Sequence, residues 1–379
     1  MPRHHLDPAA RRRALAATLL LGMAAPLPAL AVQPDPTLIT LGPEVAIEGE
    51  GATATAGHVR ITAGGVYEFN GELTDGQIEV DAPDAEVEVI LNDAQLTSRD
   101  GPAILVRDAR TATLSLAPGS KNRVEDGGDT EFDAAIAAAV SLTIGGEGAL
   151  DVVGNQNEGI ASSMHLTFTG GEIHIRAVED GVNANHDDVS EITITGGTLF
   201  VETETGDGID SNGTITITGG SVTTLGAMND RNGGLDADGD VTIDGGEVIA
   251  AGARQAEPAA ASQQASLLLR FAEEQAAETL VVVRDSAGED VLVFAPAIPF
   301  QQMLVSEPGI VPGATYAYFT GGTAEGEAVN GRSPAASDPG APVGVVTASE
   351  SGLWGRERGW ANGGGQVRIH TLVLHEIYR

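Results

Sequence analysis

Five times this chain writes a short apolar–polar alternation and ends it on a glycine pair. The runs are Leu142-Thr143-Ile144-Gly145-Gly146, Leu166-Thr167-Phe168-Thr169-Gly170-Gly171, Ile192-Thr193-Ile194-Thr195-Gly196-Gly197, Ile215-Thr216-Ile217-Thr218-Gly219-Gly220 and Val241-Thr242-Ile243-Asp244-Gly245-Gly246. The pairs recur 25, 26, 23 and 26 residues apart. A fixed period of this length is the mark of a stacked repeat, in which each unit buries its apolar face only against its neighbours. Around each run lie two further strand-like pieces. One holds Ile160, Val182, Ile209 or Leu235, and the other reads Ile173-His174-Ile175, Leu199-Phe200-Val201, Val222-Thr223-Thr224 and Val248-Ile249-Ala250. Three short strands per repeat predict an all-β fold, a parallel β-helix in which Ile192 and Ile194 point inward and Thr193 and Thr195 outward.

The period organises the rest of the chain. Less regular alternation from Thr62 to Ser115 extends the solenoid toward the N-terminus, so that it spans residues 57–252. Residues 32–56 read as a leader in front of it. Residues 253–322 read as an Ala/Gln linker, partly helical, followed by a C-terminal β cap that blunts the open strand edges. Residues 323–379, rich in Gly, Pro and Ala, read as a flexible tail.

The N-terminus carries a different signal. Arg11-Arg12-Arg13 precedes an apolar run to Leu27, and Ala29-Leu30-Ala31 supplies small residues at a cleavage position. Residues 1–31 are therefore expected to be a signal peptide for export to the periplasm, cell surface or medium. The apolar run is too short for a membrane span and is broken by Pro26 and Pro28. There is no cysteine, so an exported fold must be held by its core or by metal rather than by disulfides. The net charge is −34, and loss of four arginines and one aspartate with residues 1–31 takes it to −37. Such a chain is a poor partner for nucleic acid, and an acidic polymer must bring a cation with it.

The turns before the glycine pairs align into acidic columns. Asp180-Gly181-Val182-Asn183-Ala184-Asn185, Asp207-Gly208-Ile209-Asp210-Ser211-Asn212 and Gly233-Gly234-Leu235-Asp236-Ala237-Asp238 place Asn183, Asp210 and Asp236 in one column and Asn185, Asn212 and Asp238 in a second. Equivalent residues of adjacent rungs stack about 4.8 Å apart. Carboxylates at that distance repel unless a cation joins them or one holds a proton. An oxygen-only set of Asp and Asn suits a hard ion, Ca²⁺ foremost. The same residues also suit side-chain capping of turns, and both roles stay open. The candidate metal ligands are thus Asp180, Asn183, Asn185, Asp207, Asp210, Asn212, Asp236 and Asp238. In the preceding repeat, Asn157-Glu158-Gly159-Ile160-Ala161-Ser162, the pattern has decayed. On the third strand, His174 and Phe200 point outward on neighbouring rungs and are candidates for stacking on a sugar ring.

Several words resemble a bacterial family of carbohydrate-binding β-helix proteins. They are Gly71-Glu72-Leu73-Thr74-Asp75-Gly76-Gln77-Ile78-Glu79-Val80 with Val89-Ile90-Leu91-Asn92, then Asp207 to Asn212 with Ile215 to Gly220, and Ser306-Glu307-Pro308-Gly309 through Tyr316. The resemblance covers roughly residues 57–322 and lies in the order of the words. It implies a right-handed parallel β-helix related in shape to polysaccharide lyases, bound calcium, and attachment to cellulosic or pectic polysaccharide without catalysis. Within 131–250 there are 21 acidic residues but only two cations, Arg176 and Arg231, and neither sits in the Asx columns. A lyase needs a cationic base beside its calcium, so this count favours a binder. The alternatives are a calcium-dependent polysaccharide lyase and a calcium-stabilised surface adhesin.

Overall fold

The computed structural model describes residues 35–349 apart from 129–131, 133, 188 and 230. The signal peptide expected at 1–31, and the last part of the expected tail, 350–379, lie outside the described residues. All regular elements among the described residues are strands. They coil into a parallel β-helix with three sheets, and every rung contributes one strand to each.

Register shows how closely the repeat is kept. In the first sheet Val59 is followed by Ile78, Ile104, Ile136, Ile160, Val182, Ile209 and Leu235, each directly over the last. In the second, which carries the glycine pairs, the stack runs Tyr67, Val89, Leu114, Ile144, Phe168, Ile194, Ile217 and Ile243. In the third, Leu96, Val124, Val152, Ile175 and Val201 stack in turn. These side chains are buried and form one cluster along the length of the solenoid. The alternation predicted for Ile192 and Ile194 holds: both are at most 1% exposed, while Thr193 and Thr195 face outward. Each buried aliphatic contributes about 1.5–3 kcal/mol, so the stacks carry the fold. Phe168 is 1% exposed between Ile144 and Ile194, and Phe168→Ala is expected to cost about 3–5 kcal/mol, read from a urea unfolding curve.

The glycine pairs are corners. The second glycine of each pair has positive φ, +85° at Gly197, and turns the chain from the second sheet into the third. A parallel ladder needs such a corner on every rung, so the pairs recur with the rung.

Both ends differ from expectation. Thr37–Leu41, within the segment read as a leader, lies parallel to the first strand of the second sheet, with Ile39 over Phe69. Its burial alternates, with Thr37, Ile39 and Leu41 inward, so these residues belong to the core. Antiparallel partners Ala46–Glu48 and Ala52–Thr55 then close off the first rung. A single five-residue alternation with no repeat partner carries too little pattern to be recognised in isolation.

At the far end, the segment read as a partly helical linker is extended and covers the last rung. Ala256, Ala259 and Gln264 donate their amides to the carbonyls of Leu235, Val241 and Ile243. The Gln255 amide oxygen and the Ser262 hydroxyl accept from the amides of Leu235 and Ile243. Strand edges that would otherwise recruit another chain are thereby satisfied. Phe300–Ser306 then pairs antiparallel with both Glu247–Gly252 and Ser266–Gln275. A second, four-stranded antiparallel sheet completes the cap, and its last strand is Ala335–Thr347. Residues 335–347 were expected in a tail; they pair along most of Thr315–Glu325, because backbone pairing rather than an apolar face holds this edge strand.

Candidate functional site

The acidic columns fall on the first sheet at its last three rungs. Asn183, Asp210 and Asp236 are the central residues of three-residue strands, Val182–Ala184, Ile209–Ser211 and Leu235–Ala237, and are paired in register. Their flanking residues point into the core, so alternation turns these three outward. On the preceding rung the column holds Ala161, which offers no donor.

Asp180 and Asp207 approach the same place from the turn. The Asp207 amide donates to Asp180 Oδ1 at 2.7 Å, and the Gly233 amide donates to Asp207 Oδ1 at 2.6 Å. Each aspartate thus caps the equivalent residue one rung on, and the capping role is met here. The capping leaves each carboxylate a second oxygen. Carboxylate oxygens of Asp207, Asp210 and Asp236 lie within 4.8 Å of one another. Asp180 joins them through Asn183, whose amide nitrogen donates to Asp180 Oδ2 at 2.9 Å. The Asn183 carbonyl oxygen is buried and accepts no hydrogen bond.

The electrostatics follow from that crowding. Burial, opposed by the Gly233 amide and reinforced by Asp236, Asp180 and Asp210, pushes Asp207 up to about 8. Burial and the neighbouring Asp180, Asp236 and Asp238 raise Asp210 to about 7. Asp180 rises to about 6, again chiefly through burial. Carboxyls raised this far keep their protons to higher pH, because their surroundings disfavour the charged form.

Of the remaining predicted ligands, Asp238 stands outside this group of converging carboxylate oxygens. The backbone amides of Asn185, Asn212 and Asp238 continue the ladder, donating to the carbonyls of Ser162, Ala184 and Ser211 one rung back, and the side chains of Asn185 and Asp238 are exposed. The Asn212 amide donates to Asp187 Oδ1 at 2.8 Å and to the Asn185 carbonyl at 3.3 Å. One residue was missed. Arg254 pairs with Asp236 through its Nη2, so a guanidinium stands at the edge of the acid cluster. It lies four residues beyond residue 250, and only the parallel path of the chain along the last rung brings it back. Its signal in the sequence is faint: one arginine at the end of the last repeat.

The donor set fits a hard divalent cation. Three carboxylates share a space of ionic size, and a buried amide oxygen beside them lacks a partner. His174 and Phe200 lie elsewhere, on the outward face of the third sheet. They are register partners on adjacent rungs, with ring centroids 5.6 Å apart and planes tilted by 42°. His174 Nε2 has no hydrogen-bond partner, and the nearest carboxylate oxygen, of Glu172, is 3.7 Å away. No helix among the described residues is long and apolar enough to cross a membrane.

Comparison with known proteins adds the following. A family model described as "Carbohydrate-binding domain-containing protein" matches residues 55–284, more than half of the chain. A protein of Acetivibrio thermocellus with the same description is 33% identical over 137 residues, which cover 34% of this chain and 48% of that protein. The chain therefore matches about half the length of that relative. Among solved structures, one described as a polysaccharide lyase-like protein from C. thermocellum, in a gadolinium derivative, is similar at 26% identity. It covers 56% of this chain and 94% of its own, with a TM-score of 0.44.

Proposed function

The chain belongs to the carbohydrate-binding domain-containing family, and from that premise we propose that it is an exported, non-catalytic protein that attaches to acidic polysaccharide through bound calcium. The observation that carries the reading is the acid cluster. Asp207, Asp210 and Asp236 are held within 4.8 Å of one another with the unpartnered Asn183 oxygen beside them. Calcium bound there would neutralise the raised carboxylates and, where its shell stays open to the solvent side, accept the carboxylate of a uronate. That resolves the charge problem, since a protein of net charge −34 repels a bare polyuronate. Export is supported by the basic and apolar segments at 11–27 and the small residues at 29–31.

The test is a pull-down on insoluble polygalacturonate with and without chelator. Retention is expected in calcium and loss in chelator, and Asp210→Asn is expected to weaken retention about tenfold or more. Retention indifferent to both would sink the calcium bridge.

Arg254 favours one second reading, a calcium-dependent lyase. Its guanidinium lies against Asp236, and its neutral guanidine form, after loss of a proton to solvent, would be the base that takes the proton next to a uronate carboxylate. The two readings separate on ultraviolet absorbance of the unsaturated product. The binder forms none, whereas a lyase accumulates product and loses that activity in Arg254→Ala.

A further inference from the structure

Apart from the acid cluster, the molecule has a groove of about 470 Å³ where the cap meets the third sheet. Its floor is laid by three rungs in register. Thr198 and Phe200 are followed by Ser221 and Thr223, and these by Glu247 and Ile249. Its wall is the cap segment 327–334, between the strands Thr315–Glu325 and Ala335–Thr347. Arg332 fastens that wall. It donates to both carboxylate oxygens of Glu307, at 2.7 and 3.0 Å, and reaches Glu247 on the floor at 3.6 Å. The groove is therefore built before any ligand arrives, which removes an ordering cost from binding.

We infer that this groove is a second glycan site, one that takes a neutral, hydroxyl-rich sugar chain without calcium. The inference rests on the carbohydrate-binding reading above but assigns a separate place and a different substrate class. Three features of the lining carry it. Phe200 is half-buried and presents an apolar ring beside that of His174, a surface for the C–H face of a pyranose. Ser221, Thr223, Glu247 and Glu327 line the space with hydroxyls and carboxylates, which accept hydrogen bonds from sugar hydroxyls. The one cation in the lining, Arg332, is already engaged by two carboxylates, so the net charge of the groove with Glu307 is negative and a uronate is repelled. The volume falls within the range of small-ligand sites, about 300–1,000 Å³. The ladder of outward positions continues past the groove through Phe200 and His174, a path along the solenoid for further sugar units.

The experiment is affinity gel electrophoresis of the whole chain in gels containing hydroxyethylcellulose as the neutral probe, run in chelator. Retardation is expected for the native protein. Ser221→Trp, which fills the groove from a half-exposed position, and Phe200→Ala are each expected to weaken it about tenfold. Glu327, on the exposed cap segment, gives a third variant free of folding effects, and Glu327→Ala is expected to weaken retardation less but measurably. Ser221→Trp is expected to keep chelator-sensitive retention on polygalacturonate, and Asp210→Asn to keep retardation by hydroxyethylcellulose, so each reading fails separately. The proposal is overturned if the native protein is not retarded, if retardation requires calcium, or if Ser221→Trp migrates as the native protein does.

Discussion

Millimolar calcium is expected to raise the thermal unfolding midpoint by about 10 °C at pH 8 and by far less at pH 5. The sign follows from the raised carboxyls. Asp207, Asp210 and Asp180 sit near 8, 7 and 6 in the folded protein against an ordinary value of 3.8. Between those limits the metal-free folded chain holds protons that the unfolded chain has released. Its stability therefore falls as pH rises from about 4 to about 8. A carboxyl moved from 3.8 to about 8 accounts for a loss on the order of 5 kcal/mol, and the coupled neighbours add to it. Calcium bound at pH 8 offsets that loss by its binding free energy, about 4 kcal/mol at a thousandfold excess over Kd. At pH 5 the ion must first displace protons, so it binds weakly.

Asp210→Asn separates this account from ordinary stabilisation. Removing one buried charge is expected to make the metal-free protein more stable at pH 8, while the response to calcium is lost. A shift below about 2 °C in calcium at pH 8, or an undiminished shift in Asp210→Asn, refutes the site. Differential scanning fluorimetry across pH, with and without chelator, measures all of this on one plate.

Gly197→Ala is expected to destabilise the protein by about 4 kcal/mol or more, although it adds a single methyl group. Gly197 has φ of +85°, where an L-residue costs about 1–2 kcal/mol. A Cβ there would also lie 2.7 Å from the backbone of Gly170 and Gly171 on the preceding rung. That contact involves main chain, which cannot step aside as a flexible side chain does. Two rungs must part, and the bonds from Thr198 to the Gly171 carbonyl and from Ser221 to the Gly197 carbonyl, each 2.8 Å, are strained with them. Gly288 provides the control. It has the same φ of +85° but open space around the added Cβ. Gly288→Ala should therefore cost only the conformational part, about 1–2 kcal/mol. Urea midpoints for the two variants measure the difference, and equal costs would show that the packing of glycine pairs between rungs contributes nothing.

Much of the molecule was legible in one dimension because a solenoid makes contacts at a fixed sequence distance. Residues 23–27 apart touch, so the column Asn183, Asp210 and Asp236 could be found by alignment alone. The interior positions Ile192, Ile194, Ile215 and Ile217 followed from alternation in the same way. Where the period ends, legibility ends with it. Thr37–Leu41 and Ala335–Thr347 are strands whose partners are set by the tertiary path and not by any repeat.

The acid site divides along the same line. Period and alternation placed three donors on one outward column and proposed Asn185, Asn212 and Asp238 as a second. The fold keeps that second column in the ladder, but the carboxylate oxygens that meet within 4.8 Å belong to Asp207, Asp210 and Asp236. The fold also turned Asp180 and Asp207 toward the first column through amide caps, and returned Arg254 to Asp236. Taken alone, the sequence determined the solenoid, its core, and the stacked Asx column, since all three depend on spacing along the chain. Only the tertiary structure decided which acids share one space, which arginine meets them, and that the cap leaves a groove beside Phe200, because those contacts join segments that no period relates.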